Sequence, residues 1–395
     1  MIKFILLKNK SHILNSSILS LYVNVLGLAS GIFTIIIITH SYSLSFQAEY
    51  YITTSLVSWA LLFDFGISQA LLYKAKDNNI FKAIEFYLTC YIILGLLFLC
   101  AYCIYNNEIR ISTTIYYILF LINCSISILL AYTRGLGKEF YYWKLRSFEF
   151  TIYTLTLTLT LLYGLSIYSL IISTSLSIII NLIGLSFLID IKKLRPSLNI
   201  KNWVKNLANT QIKVAIEYVS FLIGLKIAIP FIEERLGTEI TGKIALTVTL
   251  LSIPLSLAIA LHTTKISSFL SKRENIKKLY VKWSIMITAF YTLFSVLMLI
   301  SIKINLATSL NERIATIDII LAIVFGNFIS LLLYLTSSWL RIRNKDIGWI
   351  YIIAFNFSQL ITFIITANIK LSITLSFSLL ITILIIYQAR RAIIK

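Results

Sequence analysis

The sequence predicts an all-α polytopic membrane protein, with about twelve transmembrane helices in two six-helix lobes around a central cavity. Of its 395 residues, 58% are hydrophobic and only 13% are charged, whereas a soluble domain is about a quarter charged. The mean hydropathy is +0.89, and the apolar stretches reach the roughly 20 residues that a helix needs to cross a bilayer. This composition excludes a soluble enzyme, a secreted disulfide scaffold and a disordered chain.

Twelve apolar stretches define the predicted spans in chain order. Their limits are 17–39, 48–72, 83–105, 111–132, 148–166, 169–189, 212–232, 244–264, 283–302, 314–339, 347–367 and 371–389. The fifth span alternates Thr and Leu with the period of a strand, but an open strand cannot cross lipid because its backbone groups would be unpaired. A short turn around Gly164 separates it from the sixth span. The first stretch is too long for a cleaved signal peptide.

The basic residues alternate from loop to loop. With the N-terminus inside, 28 of the 35 Lys and Arg residues fall on one side of the membrane, 6 fall on the other, and Lys226 lies within a span. This positive-inside pattern places both termini in the cytoplasm. It assigns the net charge of +19 to contact with anionic membrane lipids rather than nucleic acid.

The longest connection, residues 191–211, is a basic linker on the cytoplasmic side. It divides the chain into an N-terminal lobe, 1–190, and a C-terminal lobe, 212–395, and both lobes begin on the same side of the membrane. The outer loops are at most about 12 residues long, which leaves little room for catalytic groups. No GxxxxGK[ST] sequence is present to bind a nucleotide. The chain is therefore predicted not to be an enzyme.

Lys226 is the basic residue that topology leaves unexplained. A lysine at the centre of the bilayer costs roughly 2.5–3.5 kcal/mol, and Pro230 deprives the Lys226 carbonyl of its helical donor. We interpret Lys226 as a cavity residue that attracts an anionic group; the alternative is that it snorkels or pairs with a buried carboxylate. Gly224, Pro230 and Pro254, which interrupts span eight, are candidate hinge positions.

Other charged residues suggest further sites. Asp64, within Phe63–Asp64–Phe65–Gly66, lies about 12 Å from the cytoplasmic end of span two and is expected to face a partner or a cavity. Arg134 and Lys138 at the end of span four are suited to phosphate or to anionic lipid. Glu149 is expected at the solvated start of span five. The cysteines and histidines lack the setting of a redox or metal site, so no metal or cofactor is predicted.

Two local stretches accompany the twelve-span topology. Ala48–Glu49–Tyr50–Tyr51 follows the first outer loop, and Leu62–Phe63–Asp64–Phe65–Gly66–Ile67 precedes a basic loop with Lys74 and Lys76. Together they resemble the polysaccharide flippases of the multidrug/oligosaccharidyl-lipid/polysaccharide exporter superfamily. The second stretch is similar to the family's Asp–x–Gly pattern, whereas the first lacks the glycines of the family's Gly–x–Glu–x–Tyr–Gly-like pattern. The local match covers roughly 30 residues.

The resemblance implies a flippase that moves an undecaprenyl-pyrophosphate-linked oligosaccharide, such as an O-antigen unit of lipopolysaccharide, to the outer leaflet by alternating access. Lys226, Arg134 and Lys138 would meet the pyrophosphate, and Asp64 would hold a coupling ion (H⁺ or Na⁺) or brace its lobe. The implied partners are the lipid-linked oligosaccharide, anionic lipids, and the polymerase and chain-length machinery of the same pathway. The alternatives are a small-molecule or cation antiporter of the same superfamily and a membrane enzyme of glycan assembly, either a polymerase or an acyltransferase.

Overall fold

The computed structural model describes residues 2–76, 80–106, 110–189, 195, 197–208, 211–212, 225–271, 276–303, 312–342 and 348–394. Its helices are α1 (Ile2–Ser41), α2 (Leu44–Leu62), α3 (Ile67–Lys74), α4 (Ile80–Asn106), α5 (Ile111–Gly135), α6 (Glu139–Leu162), α7 (Tyr168–Ser186), α8 (Ile200–Trp203), α9 (Leu225–Leu236), α10 (Thr238–Ser271), α11 (Ile276–Lys303), α12 (Ile317–Ile342), α13 (Gly348–Thr366) and α14 (Ile369–Ile394). A single π-helical turn, Val204–Ala208, follows α8.

The described helices overlap the twelve predicted spans, although several begin or end at other residues. Within the described residues, α1, α4, α5, α7, α10, α11 and α12 are long and apolar enough to cross a membrane, and α13 and α14 contain shorter apolar helices. The chain is a multi-pass helical membrane protein, which confirms the predicted fold class. Of the seventh predicted span, the part from 213 to 224 lies outside the described residues.

The chain forms two compact units. The first comprises Met1–Tyr42 and Leu56–Tyr218, and the second comprises Ser43–Ser55 and Val219–Lys395. The boundary falls within α2, so the beginning of this helix belongs to the second unit. The predicted lobe limits at the linker 191–211 stay a prediction.

In the first unit, α1 packs along α6, and α5 and α6 both pack against α7. The Tyr22 hydroxyl lies 2.9 Å from Thr151 Oγ1, and Tyr42 donates to the Leu161 carbonyl at 2.5 Å. The Thr-rich fifth span is the helix α6, as predicted from the cost of unpaired strand backbone in lipid. It is joined to α7 at Gly164, whose φ of 79° is accessible to glycine without strain.

The second predicted span is not one continuous helix, so that prediction is wrong. It is interrupted at Phe63–Gly66, where Phe65 and Gly66 have φ values of 40° and 69°. The break exposes carbonyl groups for which lipid offers no donor. On α4, Tyr87 donates to the Phe63 and Asp64 carbonyls, both at 2.7 Å. One turn further along α4, the Tyr91 hydroxyl donates to the Ala60 carbonyl near the end of α2.

The second unit packs its longest helix, α10, against the beginning of α2 and against α12. Gly242 of α10 lies directly on Ala48, which is fully buried. Further along, Ala258 of α10 joins a buried apolar cluster with Tyr291 of α11 and Leu331 of α12. The helices α13 and α14 form an antiparallel pair that contributes a second buried cluster.

Candidate functional site

A polar cavity of about 390 Å³ lies within the first unit. It is bordered by the break between α2 and α3 and by side chains of α5, α6 and α7. The charged residues of its lining are two acids, Asp64 and Glu149, and one base, Arg146. Ionisable side chains at membrane depth are costly and usually functional. We therefore take this cavity as the candidate functional site.

Helix α6 supplies an ion pair to the cavity. Arg146 and Glu149 are three positions apart and so share one face of the helix, and the Arg146 guanidinium lies 2.8 Å from Glu149 Oε2. The side chains of Arg146 and Glu149 are 19% and 4% exposed. The Ser177 hydroxyl on α7 donates to the other carboxylate oxygen, Oε1. Both oxygens of Glu149 thus have donors, and the pair joins α6 to α7.

The expectation that Glu149 sits at a solvated helix end is wrong. Helix α6 begins at Glu139, nine residues before the predicted start of span five. Glu149 therefore lies almost three turns inside the helix at 3.6 residues per turn. The preceding residues 139–147 are too polar to count as an apolar span, so hydropathy alone places the start of the helix too late.

Helix α7 carries a buried polar stripe, of which Thr174 and Ser177 line the cavity. Its members are at most 2% exposed and recur on one broad face of the helix: Ser169, Ser173, Thr174, Ser177 and Asn181. Asn181 Nδ2 lies 3.3 Å from Asn123 Oδ1 on α5. The sequence carries a signal for this face that average hydropathy overlooks, namely small polar residues at helical spacing within an apolar span.

Asp64 borders the same cavity from the break after α2. Its side chain is buried, and Oδ1 accepts hydrogen bonds from the backbone N–H and the hydroxyl of Ser68, both at 3.3 Å. The structure thus brings Asp64 into one site with the Arg146–Glu149 pair. Its coupling or bracing role stays a prediction.

Arg134 and Lys138 lie at the junction between α5 and α6. The Arg134 guanidinium pairs with Glu139 at 2.9 Å and lies 5.1 Å from the centre of the Trp143 ring. The Lys138 ammonium donates to the Leu188 carbonyl at 2.6 Å, just beyond α7. Both cations therefore take part in contacts that hold the helix ends together, and their role toward a pyrophosphate stays a prediction.

The remaining predicted site residues lie in the second unit. Gly224 and the side chain of Lys226 fall outside the described residues, while the Lys226 backbone belongs to α9. Pro230 is buried within α9 and Pro254 within α10. The side-chain amide of Asn327 on α12 donates to the Leu251 carbonyl at 3.0 Å. This acceptor lies three residues before Pro254. The hinge roles stay predictions.

Comparisons with known proteins bear on the fold. No protein-family model matches the chain, and no curated protein matches it. An inward-facing multidrug resistance MATE family transporter of the MOP superfamily matches with a TM-score of 0.55 and 12% identity, over 93% of this chain and 94% of that one. A MATE protein in complex with MaL6 matches with a TM-score of 0.53 and 11% identity, over 97% of this chain and 96% of that one. An outward-facing MATE transporter matches with a TM-score of 0.50 and 13% identity, over 96% of this chain and 95% of that one. The chain has the MATE fold.

The shared fold agrees with the predicted all-helical, multi-span architecture. The matches extend over almost the whole of each chain, so they concern all the helices and not one local motif. At 11–13% identity they concern the fold alone. Among the solved structures of this fold, one is described as inward-facing and one as outward-facing.

Proposed function

We propose that the protein is an alternating-access transporter, not an enzyme, that flips an undecaprenyl-pyrophosphate-linked oligosaccharide from the cytoplasmic to the outer leaflet. The proposal is carried by the MATE fold together with a charged cavity buried among membrane helices. A glycan head group does not cross hydrocarbon unaided, because each polar group stripped of water costs several kcal/mol. The flippase-like stretch around Asp64 supports a substrate of the O-antigen or a similar surface-polysaccharide type.

The polar cavity in the first unit suits a coupling cation better than the pyrophosphate. Counted by formal charge, Asp64 and Glu149 contribute −2 and Arg146 contributes +1, so these three side chains sum to −1. An excess negative charge attracts H⁺ or Na⁺ and repels a phosphate. We therefore assign ion coupling to this cavity. Pyrophosphate binding stays with Lys226, Arg134 and Lys138.

The second candidate function is a small-molecule antiporter driven by a cation. It is favoured by the same negative cavity, and the solved structures of this fold include multidrug resistance transporters. This alternative needs the coupling ion but no lipid-linked glycan. The two functions therefore differ in the compound that accumulates when the protein is missing.

The test is deletion of the gene in its native host, with the lipid-linked oligosaccharides followed by extraction and mass spectrometry. Loss of a flippase leaves single repeat units facing the cytoplasm, and a plasmid copy restores export. Loss of a polymerase instead leaves single units on the cell surface. Unchanged lipid-linked oligosaccharides together with retention of a small cationic compound would overturn the flippase proposal in favour of the antiporter.

We expect Asp64→Asn to weaken ion-coupled transport about tenfold, within the usual range of coupling energies between two sites. The amide keeps the size of the side chain and removes its charge. The measurement is substrate flux in proteoliposomes across imposed pH and sodium gradients. Asp318→Asn is the matched control, because Asp318 is exposed and pairs with Lys370 at 2.7 Å. An unchanged response of Asp64→Asn to both gradients would remove the coupling role.

We expect Lys226→Ala to lower flux about tenfold and Lys226→Arg to retain most of it, because a charge-assisted hydrogen bond is worth enough for such a change. Protein levels are measured in parallel. Lys243→Ala serves as the control, since Lys243 pairs with the exposed Glu239 on the same helix. Full flux in Lys226→Ala at a normal protein level would contradict the assignment.

A further inference from the structure

The second unit carries a long apolar groove between α11 and α12, with a volume of about 940 Å³. One wall is a single face of α11 from Lys277 to Val296, whose lining residues recur every three or four positions. The other wall is the part of α12 from Phe328 to Trp339. The groove is separate from the polar cavity of the first unit and has no part in the ion coupling proposed above.

The groove lies on a membrane-spanning helix that is little covered by protein, and it presents an apolar surface. Among the seven membrane-spanning candidates of the described chain, α11 is the least buried: 17% of its most apolar stretch is covered by protein, against 28–56% in the others. Three threonines in the lining, Thr288, Thr292 and Thr336, donate to carbonyls of their own helices at 2.8–2.9 Å. Their hydroxyl protons are thus already used, and the groove needs no polar ligand to satisfy them.

The length of the groove bears on the kind of occupant. From Lys277 to Val296 the α11 wall covers 19 residue steps, or about 28 Å at a rise of 1.5 Å per residue. This is close to the ~30 Å thickness of the hydrocarbon core, of which the acyl chains of one leaflet cover about half. A single occupant of the whole α11 wall is therefore longer than a phospholipid acyl chain.

The charge of the groove is asymmetric. Among the described lining residues, Lys277 is the only charged one, and it is exposed at one end beside Tyr280 and Trp339, whose ring centres are 5.0 Å apart. Trp339 is partly exposed, and tryptophan is enriched at the level of lipid head groups. The opposite end is aliphatic, with Leu293 and Val296. This pattern suits one phosphate followed by one long apolar chain, whereas phospholipids from both leaflets would place a second head group at the aliphatic end.

We propose that this groove binds the polyprenyl chain of a polyprenyl phosphate or pyrophosphate, with the phosphate at Lys277. The inference rests on the proposed function, because a lipid-linked glycan is the substrate that would bring such a chain to the protein. Binding at α11 holds the lipid carrier against the protein, with its phosphate at Lys277, before the pyrophosphate passes to Lys226, Arg134 and Lys138. The groove thus accounts for recognition of the carrier independently of the sugar.

The test uses the purified full-length protein in phosphatidylcholine nanodiscs and a photoreactive undecaprenyl phosphate without sugar. Cross-linked peptides are mapped by mass spectrometry. Ala289→Trp fills the middle of the groove, and Met286→Trp, on an exposed part of α11 outside it, is the matched control. Lys277→Ala removes the cation, and Lys278→Ala is its control on the same exposed helix end. Size-exclusion profiles establish that each variant is folded.

We expect wild-type cross-links in α11 and α12. Ala289→Trp should lower them about tenfold, because losing the burial of two CH₂ groups weakens binding by roughly that factor. Lys277→Ala should lower them about fivefold, as expected for one lysine near a phosphate. Both controls should label like the wild type. Absence of cross-links in α11 and α12, equal labelling of both tryptophan variants, or displacement by an equal amount of phosphatidylglycerol would overturn the proposal.

Different measurements would refute the groove assignment and the proposed function. If undecaprenyl phosphate labels the groove but deletion of the gene leaves lipid-linked oligosaccharides unchanged, the flippase function is wrong and chain binding stands. If flipping requires the protein but Ala289→Trp flips at the wild-type rate and the wild type shows no labelling, the groove assignment is wrong and the function stands.

Discussion

Replacing Glu149 with leucine should destabilise the first unit by about 3 kcal/mol, because Arg146 then remains as a mostly buried charge without its partner. This value is at the lower end of the cost of breaking a buried ion pair, because the Arg146 side chain is 19% exposed. Ser177 also loses the acceptor for its hydroxyl. The measurement is the free energy of unfolding in mixed detergent micelles, followed by the helical signal in circular dichroism.

The double variant Arg146→Met/Glu149→Leu separates stability from transport. Replacing both partners of a buried pair with apolar residues is often close to neutral, so we expect most of the lost stability to return. Asp64 keeps its place in the cavity lining, and its charge of −1 equals the sum of the three charges in the wild type. Any transport still missing in the double variant therefore measures the part that the Arg146–Glu149 pair itself plays in coupling. A double variant that transports at the wild-type rate would show that the pair is only structural, and one as unstable as Glu149→Leu would refute the unpaired-charge explanation.

Glu239→Leu is the matched control for this series. It also removes an acid from an ion pair within one helix, with Lys243 at 3.2 Å, but Glu239 is 61% exposed. Exposed pairs contribute roughly 0.2–1 kcal/mol. The comparison therefore isolates burial as the reason for the large effect at Glu149.

Gly242→Ala should destabilise the second unit by about 2 kcal/mol, a typical cost for forcing extra volume into a packed core. A Cβ at this position would meet Cα and Cβ of Ala48 well inside contact distance. Those atoms belong to a fully buried residue of α2 and cannot rotate away, so α2 and α10 must separate. The thermal midpoint in detergent measures the loss.

Gly31→Ala tests the same substitution on open surface. Gly31 lies within α1 and is exposed, and a Cβ added there would have no neighbouring atom within 4 Å. We expect a gain of up to ~1 kcal/mol from helix propensity. Equal effects of the two substitutions would mean that propensity, and not the α2–α10 contact, decides the result at Gly242.

The fold was largely predictable from the sequence because hydropathy and turn residues act locally. The apolar stretches follow from the thickness of the bilayer, and the turn at Gly164 follows from glycine's access to positive φ. The break at Phe63–Gly66 was not predicted, since two phenylalanines keep this segment apolar in any window of span length. Tyrosines from α4 supply the donors that make the break tolerable, and their position depends on the packing of a different helix.

The candidate site was predicted only in part. Asp64 was recognised from its depth in an apolar stretch, but its partnership with Arg146 and Glu149 in one cavity required the positions of α3, α5, α6 and α7. Arg146 and Glu149 looked like residues at a membrane surface because the helix that carries them begins in polar sequence. The sequence by itself determined that the chain is a helical membrane protein, because the cost of unpaired backbone and exposed charge in lipid is set residue by residue. Only the tertiary structure decided which charges share a buried cavity, because their distances and burial depend on how separate helices pack together.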